Sequence, residues 1–381
     1  MELKDLREQI NAINQQMLDL FSQRMEVSAD IARYKAAHEL PILDEAREAE
    51  ILQNISANAN ENYRFETVEM FRTLMNLSKM YQLNIVMADT PAQPGAVYPP
   101  YLPDAKQVVF YGTEGSYSWE AMKSCFADIP ALPAPTFRDV FETLKQGKAD
   151  YGVVPIENSS TGSIFEVYEL FCEYGYHIVG ETNLRISHNL MGLPGATLAD
   201  LKEIYSHPQP FLQCEHFLSS LNVKLTPYYN TAASAKMVAE SGDKTRGVIG
   251  SRISAAFYGL EILQSEIEDN PNNYTRFAIV SKDLLICPAA SKVSIAFSLS
   301  HESGSLYHTL SVFAKHNLNL IKLESRPYPS SKWKYLFYAD FEGHLSESHI
   351  AQTISQLQAQ TQDFFLLGNY AGMPSIQKGE Q

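Results

Sequence analysis

The chain has 381 residues, of which 45% are hydrophobic and 19% charged, and this is the composition of a folded protein rather than a disordered one. Its length is sufficient for about two or three domains. The 30 basic and 44 acidic residues give a net charge of −14, which argues against a nucleic-acid binder because such a protein carries a basic face.

The sequence shows no sign of export, membrane insertion or metal binding. Its start, MELKDLREQI, is charged from the second residue and has no apolar signal-peptide core. No stretch of 18 apolar residues is present, so we expect no membrane partner. We expect a cytoplasmic protein without structural zinc or disulfides, because no CxxC pair occurs among its cysteines, Cys125, Cys172, Cys214 and Cys287.

The first segment, residues 1–87, is predicted to be helical throughout. Its first helix carries apolar residues in steps of three and four, which is a heptad seam. Some 35 residues span roughly 50 Å, too long for so small a globule, so we expect a homodimer or higher homo-oligomer. The seam consists of Leu3, Leu6, Ile10, Ile13, Met17, Leu20, Val27, Ile31 and Tyr34.

Arg24 occupies one position of this seam. A charge in an apolar seam is costly unless it is paired, so we expect an anion against it. Lys35 lies 11 residues further on, close to three helical turns, and therefore shares a face with Arg24. Pro41 ends the first helix and Asp44 can cap a second one. Each of the other polar residues of this helical segment, taken singly, fits an ordinary surface position. Together with Arg24 they predict a cationic pocket.

The stretches LREQINAINQQMLDLFSQRMEVSADIARYK, PILDEAREAEIL and SKMYQ resemble the all-helical chorismate mutase family over nearly all of 1–87. The resemblance implies an interlocked dimer in which Arg7 reaches into the partner's site. It also implies that chorismate rearranges to prephenate without a nucleophile, a general base or a metal. Arginines would bind the carboxylates, Lys35 and Gln82 the ether oxygen, and Glu48 the hydroxyl. The implied catalytic residues are Arg7, Arg24, Lys35, Asp44, Arg47, Glu48, Ser78 and Gln82.

Residues 88–104 are rich in Pro, Gly and Ala and are predicted to be a linker. From 105 to 285, short apolar runs alternate with amphipathic ones, which predicts an α/β domain with a largely parallel sheet and two lobes. Hydroxyl-rich turns follow four of the predicted strands. Any one of them is ordinary helix capping, but together they predict a small-anion cleft. The turns are 112–118, 155–162, 205–209 and 231–234.

The blocks GTEGSYS, VVPIENSSTGSI, YSHPQPFLQC and NYTRFAIV resemble the prephenate dehydratase family over 108–280. The resemblance implies a cleft in which prephenate loses its ring hydroxyl and carbon dioxide, with Thr275 as the catalytic residue. Arg276 should face the opposite side of the same strand. His188 is either an acid or a structural residue. GTEGSYS is not GxGxxG, so we expect no nucleotide, and we expect no other cofactor. The expected substrate-binding residues are Glu157, Asn158, Ser159, Ser160, Thr161 and His207.

Residues 290–371 follow the order βαββαβ, which predicts a ferredoxin-like α+β fold. Two motifs in it, Gly304-Ser-Leu306 and Glu324-Ser-Arg-Pro327, resemble those of the ACT family, an amino-acid-binding module. The resemblance implies phenylalanine as an effector and feedback inhibition, although a purely structural module stays open. Tyr307 departs from the smaller aliphatic residue common there. The implied effector-binding residues are Gly304, Ser305, Leu306, Glu324, Ser325, Arg326 and Pro327.

Together the three resemblances predict a multidomain member of the bifunctional chorismate mutase/prephenate dehydratase family, which serves phenylalanine biosynthesis. Arogenate dehydratase activity in the middle domain is an open alternative. A non-catalytic anion-binding module is another, disfavoured by the attached helical domain. A transcriptional regulator is disfavoured because the acidic N-terminal segment offers no basic recognition helix.

Overall fold

The computed structural model describes residues 2–38, 40–41, 44–87, 96–100, 102–327 and 335–373. Ile42 and Leu43 of the PILDEAREAEIL stretch and most of the predicted linker 88–104 lie outside the described residues. The described chain forms two compact units. One contains Met1–Pro94, Leu306–His316 and Ser346–Thr361, and the other Gly95–Ser305, Asn317–Leu345 and Gln362–Gln381. The domain boundaries given above stay predictions.

The helices follow one another along the chain as α1 (Leu3–Ala37), α2 (Glu45–Asn58), α3 (Arg64–Met87), α4 (Tyr117–Phe126), α5 (Phe137–Lys145), α6 (Phe165–Tyr174), α7 (Pro208–Gln213), α8 (Glu215–Leu218), α9 (Thr231–Ser241), α10 (Arg252–Tyr258), α11 (Ser305–Lys315) and α12 (Ser348–Gln360). Among the described helices, none combines the length and apolarity needed to cross a membrane.

The strands are β1 (Val108–Tyr111), β2 (Ala131–Ala134), β3 (Tyr151–Asn158), β4 (Gly162–Ser163), β5 (His177–Arg185), β6 (Asn189–Gly192), β7 (Glu203–Ser206), β8 (Lys224–Pro227), β9 (Arg246–Gly250), β10 (Glu261–Gln264), β11 (Tyr274–Ser281), β12 (Lys292–Ser298), β13 (Leu320–Pro327), β14 (Tyr335–Glu342) and β15 (Asp363–Tyr370).

The helical unit is built on α3, against which both α1 and α2 pack. α1 buries the small residues Ser28, Ala29 and Ala32, which allow its backbone to approach its neighbour closely. The predicted heptad seam lies on another face and is exposed within the unit, with Leu20 at 65% and Tyr34 at 60%. The fold of this unit therefore leaves the predicted seam uncovered.

The second unit contains a ten-stranded sheet and a five-stranded sheet. The large sheet has the order β13-β14-β12-β15-β5-β11-β3-β1-β2, with β4 beside β3, and the small sheet has the order β10-β6-β9-β7-β8. The prediction of a largely parallel sheet is confirmed for β1 with β2 and β3 and for β7 with β8 and β9. It fails at β11, which runs antiparallel to both β3 and β5, and at β6, which runs antiparallel to β9 and β10. A buried apolar strand has the same sequence pattern in either direction, so the sequence could not reveal this.

The C-terminal strands and helices have the predicted βαββαβ order, and their sheet order β13-β14-β12-β15 is that of a ferredoxin-like module. One parallel pair, Gly368 with Ile178, joins this sheet to the rest. A Cβ at Gly368 would lie 2.1 Å from the Ile178 carbonyl oxygen, so only glycine permits this approach. The C-terminal sheet is therefore continuous with β5, β11 and β3.

Candidate active sites

A cavity of about 380 Å³ lies in the second unit, between turns that follow strands of both sheets. All four hydroxyl-rich turns contribute to its wall, so their predicted convergence is confirmed. Apolar and aromatic side chains complete the lining. The contributing residues include Gly112, Thr113, Ser116, Tyr117 and Ser118 from the first turn, Pro155, Asn158 and Thr161 from the second, His207 and Gln209 from the third and Thr231 from the fourth.

Three helix N-termini lie at this cavity, and a side chain caps each of them. Ser116 accepts from the Trp119 amide at 3.2 Å and begins α4. His207 and Asn230 cap α7 and α9 in the same way. Free amide groups and positive dipole ends at such termini favour anions. The wall can therefore hold carboxylate groups without lysine or arginine.

Thr275 lies in the cavity wall, and its side chain is fixed by Asn158. The Asn158 Oδ1 atom accepts from the amides of Ser160 at 3.0 Å and Thr161 at 3.1 Å. This fixes the amide orientation, so Asn158 Nδ2 donates to Thr275 Oγ1 at 2.9 Å. Because the Thr275 oxygen accepts this bond, its own proton is available to a ligand in the cavity.

Two polar cavity residues that the sequence analysis does not assign to the site, Tyr117 and Gln213, meet His188, which it leaves as an acid or a structural residue. The Nε2 atom of His188 lies 2.8 Å from Gln213 Oε1, and its Nδ1 atom lies 3.1 Å from the Tyr117 hydroxyl. Burial lowers the pKa of His188, and burial raises the pKa of Tyr117 well above its ordinary value. Both groups are therefore neutral near pH 7. Tyr117 and Gln213 lie inside the GTEGSYS and YSHPQPFLQC blocks, which was the available signal.

The structure separates the expected substrate-binding residues into two groups. Asn158, Thr161 and His207 line the cavity. Ser159 instead bonds to the backbone of Asn272 and Tyr274, and Ser160 approaches the Asn273 side chain. The last of the expected residues, Glu157, lies beside Asn158 on β3 and points to the opposite face of the sheet, as alternation along a strand requires. The cavity as observed is therefore formed without Glu157, Ser159 and Ser160.

Arg276 confirms the expected alternation on β11. Its guanidinium lies 3.2 Å from Glu157, 3.1 Å from Asp340 and 3.7 Å from Glu181, on the side away from Thr275. Burial by itself lowers the pKa of Arg276, but Tyr168, Tyr370 and the acidic neighbours raise it above its ordinary value. Arg276 is therefore a permanently charged member of a buried ion cluster.

In the helical unit, Arg24 reaches α3 and contacts two of its residues. Its guanidinium donates to the Leu74 carbonyl at 2.9 Å and to the Ser78 hydroxyl. Burial lowers the pKa of Arg24 below its usual value. Ser78 and Gln82 are 4% and 8% exposed, and within the described chain the buried Gln82 Oε1 atom has no hydrogen-bond partner. An unsatisfied buried group one helical turn from the serine that binds a half-buried guanidinium is expected at a ligand site.

Three of the other predicted mutase residues, Asp44, Arg47 and Glu48, contact groups other than Arg24. Asp44 caps α2 by accepting from the Arg47 amide at 3.0 Å, while the Arg47 guanidinium pairs with Glu50 on the surface. Glu48 pairs with Lys79 at 2.9 Å, a residue that the SKMYQ block contains but the sequence reasoning did not single out. Arg7 is exposed and Lys35 half-buried.

A second cavity of about 310 Å³ lies at the end of β12, and Ser305 is the predicted effector residue in its wall. Tyr335 and Phe337, which also line it, are register partners of Pro327 and Ser325 on β13. Gly304 has φ +83°, which a glycine adopts readily, and Leu306 is half-buried. Arg326 stacks on Phe165 at 3.7 Å, and Glu324 lies 3.6 Å from Lys322.

Two further observations concern Tyr307, which departs from the pattern of the resembled amino-acid-binding module, and the arrangement of potential metal ligands. Tyr307 is 72% exposed. Within the described residues, no group of three or more His, Cys, Asp or Glu side chains is arranged to hold a metal ion.

The chain is similar to known proteins over most of its length. The family profiles of chorismate mutase type II and prephenate dehydratase match residues 6–83 and 108–284. A bifunctional chorismate mutase/prephenate dehydratase of Aquifex aeolicus (strain VF5) is 30% identical over 377 residues, which are 97% of this chain and 98% of the relative. An arogenate dehydratase 2 of Petunia hybrida is 34% identical over 281 residues, covering 69% of this chain and 71% of that protein.

A solved structure of prephenate dehydratase in complex with L-Phe, from Arthrobacter aurescens, matches with a TM-score of 0.65 and 30% identity. It covers 70% of this chain and 90% of the other. The full-length match to the Aquifex relative includes both catalytic regions and the C-terminal module. The chain therefore belongs to the bifunctional chorismate mutase/prephenate dehydratase family and catalyses both the rearrangement of chorismate to prephenate and the conversion of prephenate to phenylpyruvate.

Proposed function

We propose that the two reactions take place at two separate sites, with Arg24 at the centre of one and Thr275 at the other, and that phenylalanine inhibits the second. The observation that carries the dehydratase assignment is the Asn158–Thr275 hydrogen bond in the wall of a cavity built from four turns. This bond leaves the hydroxyl proton of Thr275 available to a ligand. The helix N-termini that border the cavity favour anions.

In the dehydratase reaction, the bond between the ring carbon and the departing carboxylate breaks and its electron pair enters the ring. The ring hydroxyl leaves from the opposite carbon and becomes water by taking up a proton. Thr275 donates a hydrogen bond to this leaving oxygen, with the neutral Tyr117 and His188 groups available to orient it. None of the described cavity-lining residues is Lys or Arg, so no ion pair holds the carboxylate in its ground state.

The same lining supports prephenate over arogenate as the preferred substrate. Arogenate carries an ammonium group where prephenate carries a keto group. Within the described part of the wall there is no Asp or Glu to pair with an ammonium, and a buried unpaired charge is costly. Hydroxyl and amide donors suit a keto oxygen instead.

In the mutase reaction, the site holds the folded conformer of chorismate and stabilises charge on the breaking ether oxygen. Arg24 is held by Ser78 at one end of its guanidinium and keeps further N–H groups for a carboxylate. The buried Gln82 amide lies one helical turn from Ser78 and is suited to the ether oxygen. Arg7, Lys35, Arg47 and Glu48 complete the proposed set, and Asp44 orients Arg47 by capping its helix.

The proposed division of labour is tested by supplying chorismate to the purified protein and following prephenate and phenylpyruvate separately. We expect transient prephenate followed by phenylpyruvate. Formation of neither product would contradict both assignments, and prephenate as a permanent end product would contradict the second.

We expect phenylalanine to inhibit the dehydratase and to bind with measurable heat. The support is the solved relative that holds L-Phe and the cavity beside Ser305, which opens next to the register partners of Pro327 and Ser325. Isothermal titration calorimetry measures binding, and prephenate turnover with and without phenylalanine measures inhibition. Alanine titrated in parallel is the control for non-specific heats, and the absence of both heat and inhibition would contradict the effector role.

The functional protein is proposed to be a homodimer or higher homo-oligomer joined through α1. The exposed seam runs the length of a 35-residue helix and includes Leu3, Leu20 and Val27, which are 63%, 65% and 58% exposed. Such an apolar stripe is unfavourable in water unless another surface covers it. A second copy supplies a matching stripe by symmetry, and it brings a second Arg7 and Arg47.

We expect the double substitution Leu20→Gln/Val27→Gln to weaken self-association at least about tenfold, because each buried side chain stabilises by roughly 1.5–3 kcal/mol. Sedimentation equilibrium over a range of protein concentrations measures this. Ser22→Gln is the matched control, since Ser22 is exposed on the side of α1 away from the seam. Equal association of all variants would rule out the α1 seam as the interface.

A further inference from the structure

The second unit contains a buried ion cluster on the sheet face opposite the dehydratase cavity. Glu157, Glu181 and Arg276 belong to the region matched by the dehydratase profile, and the other members belong to the C-terminal module. Ion pairs join the members of the cluster to one another. The members from the C-terminal module are Lys292, Lys322, Glu324 and Asp340.

Lys322 extends from β13 of the C-terminal module into the dehydratase region. Its side chain is 10% exposed, and its Nζ atom lies 3.2 Å from Glu157 Oε2. The same ammonium donates to the hydroxyls of Ser163 and Tyr168. Burial by itself lowers the pKa of Lys322, but Tyr168, Glu157 and Glu324 raise it above its ordinary value, so the ammonium is charged near pH 7.

Glu157 connects this lysine to the catalytic threonine. Its Oε2 atom contacts both Lys322 and Arg276, at 3.2 Å each. Glu157 and Arg276 are register partners on β3 and β11, and the next pair in the ladder is Asn158 with Thr275. The register shifts immediately after Arg276, and such a bulge weakens the regular ladder. The ion pairs of Glu157 with Lys322 and Arg276 therefore hold β3 and β11 together at the position where the backbone hydrogen bonds are least regular.

We propose that Lys322 is a positioning residue of the dehydratase site: by holding the Glu157 carboxylate, it fixes the strand pair from which Asn158 and Thr275 reach the cavity. The C-terminal module thus completes the dehydratase site without touching the substrate. Lys322 lies 3.6 Å from Glu324, whose Oε2 atom has no hydrogen-bond partner within the described residues. The same lysine therefore links the predicted effector motif to the catalytic strand, a consequence that rests on the proposed inhibition by phenylalanine.

The test begins with Lys322→Met in the full-length enzyme. We expect kcat for prephenate to fall about ten- to a hundredfold, because displacement of catalytic groups by an ångström has effects of that size. KM should change little, since Lys322 is outside the cavity wall. Lys322→Arg should restore most of the activity by keeping the cation. Lys145→Met is the matched control, because Lys145 is an exposed lysine 3.6 Å from Glu142.

A loss of folding is separated from a loss of positioning in two ways. The Tm of the Lys322→Met variant, compared with that of the wild type, reports on the integrity of the second unit. The double variant Lys322→Met/Glu157→Gln also removes the carboxylate that lost its lysine and kept only Arg276 as an ion partner, so we expect a Tm closer to that of the wild type than in Lys322→Met, while kcat for prephenate stays low. A Lys322→Met kcat within twofold of wild type, or full recovery of kcat in the double variant, would overturn the proposal.

Phenylalanine supplies the second readout. We expect Lys322→Met to bind phenylalanine by calorimetry while its residual dehydratase activity is no longer inhibited. Inhibition equal to that of the wild type would overturn the link through Lys322. If the wild-type enzyme itself is not inhibited, the proposed effector role fails, and the kcat comparison still decides the positioning role.

Discussion

We expect the Thr275→Ala variant to convert chorismate to prephenate at the wild-type rate and to accumulate it. Loss of a single hydrogen-bond donor to a developing or leaving oxygen lowers kcat by about 10²–10³-fold. Thr275 is the donor that Asn158 orients toward the cavity, so its removal should affect kcat for prephenate within that range. The measurement is turnover of supplied prephenate, with mutase activity assayed on the same preparation.

Thr275→Ser is the matched control, because serine keeps the hydroxyl and its bond to Asn158 while losing only a methyl group. It should retain most of the dehydratase activity. If Thr275→Ala and Thr275→Ser were equally impaired, the methyl contact and not the hydroxyl would be the essential feature. A simultaneous loss of mutase activity would contradict the separation of the two sites.

The second large effect is expected for Arg24→Ala, which should abolish the mutase and spare dehydration of supplied prephenate. Arg24 is the half-buried cation that bonds to Ser78 and the Leu74 carbonyl, and no shorter side chain at that position can reach both α3 and a substrate carboxylate. Removing such a charge from an anionic transition state costs roughly 3–5 kcal/mol, or more than about a hundredfold in rate. Mutase activity is measured as the loss of chorismate absorbance at a single wavelength.

The control for this substitution is Arg33→Ala, on the same helix. Arg33 forms an exposed pair with Asp30 at 2.7 Å, and exposed pairs of this kind contribute little to stability. Its mutase activity should match that of the wild type. A large loss of both activities in Arg24→Ala, together with a lower Tm, would show that Arg24 supports the fold rather than the reaction.

Much of the site was predictable because its chemistry is concentrated in short blocks. Hydroxyl-rich turns after strands predicted an anion cleft, and all four of them line it. Alternation along β11 predicted opposite roles for Thr275 and Arg276. The same rule, applied to Glu157 beside Asn158, would have placed Glu157 on the far face of β3.

Other parts of the site depend on residues far apart in the sequence. His188, Tyr117 and Gln213 meet only because the residue before β6 and the helices α4 and α7 converge on one cavity. Glu48, to which the resemblance gives the substrate hydroxyl, also pairs with Lys79 on another helix. The sequence around His188 gives no sign of Tyr117 or Gln213, and the sequence around Glu48 gives no sign of Lys79.

The sequence by itself determined the helical heptads of α1, the positions of most strands, the order of the C-terminal module and the blocks that carry the chemistry. These are local properties, set by hydrophobic period, turn residues and capping groups. The tertiary structure alone decided the direction of β11, the bulge after Arg276 and the ion cluster through which Lys322 reaches Glu157. The physical reason is that the local sequence pattern fixes which face of its strand a residue occupies. Only the packed fold fixes which neighbour lies on that face.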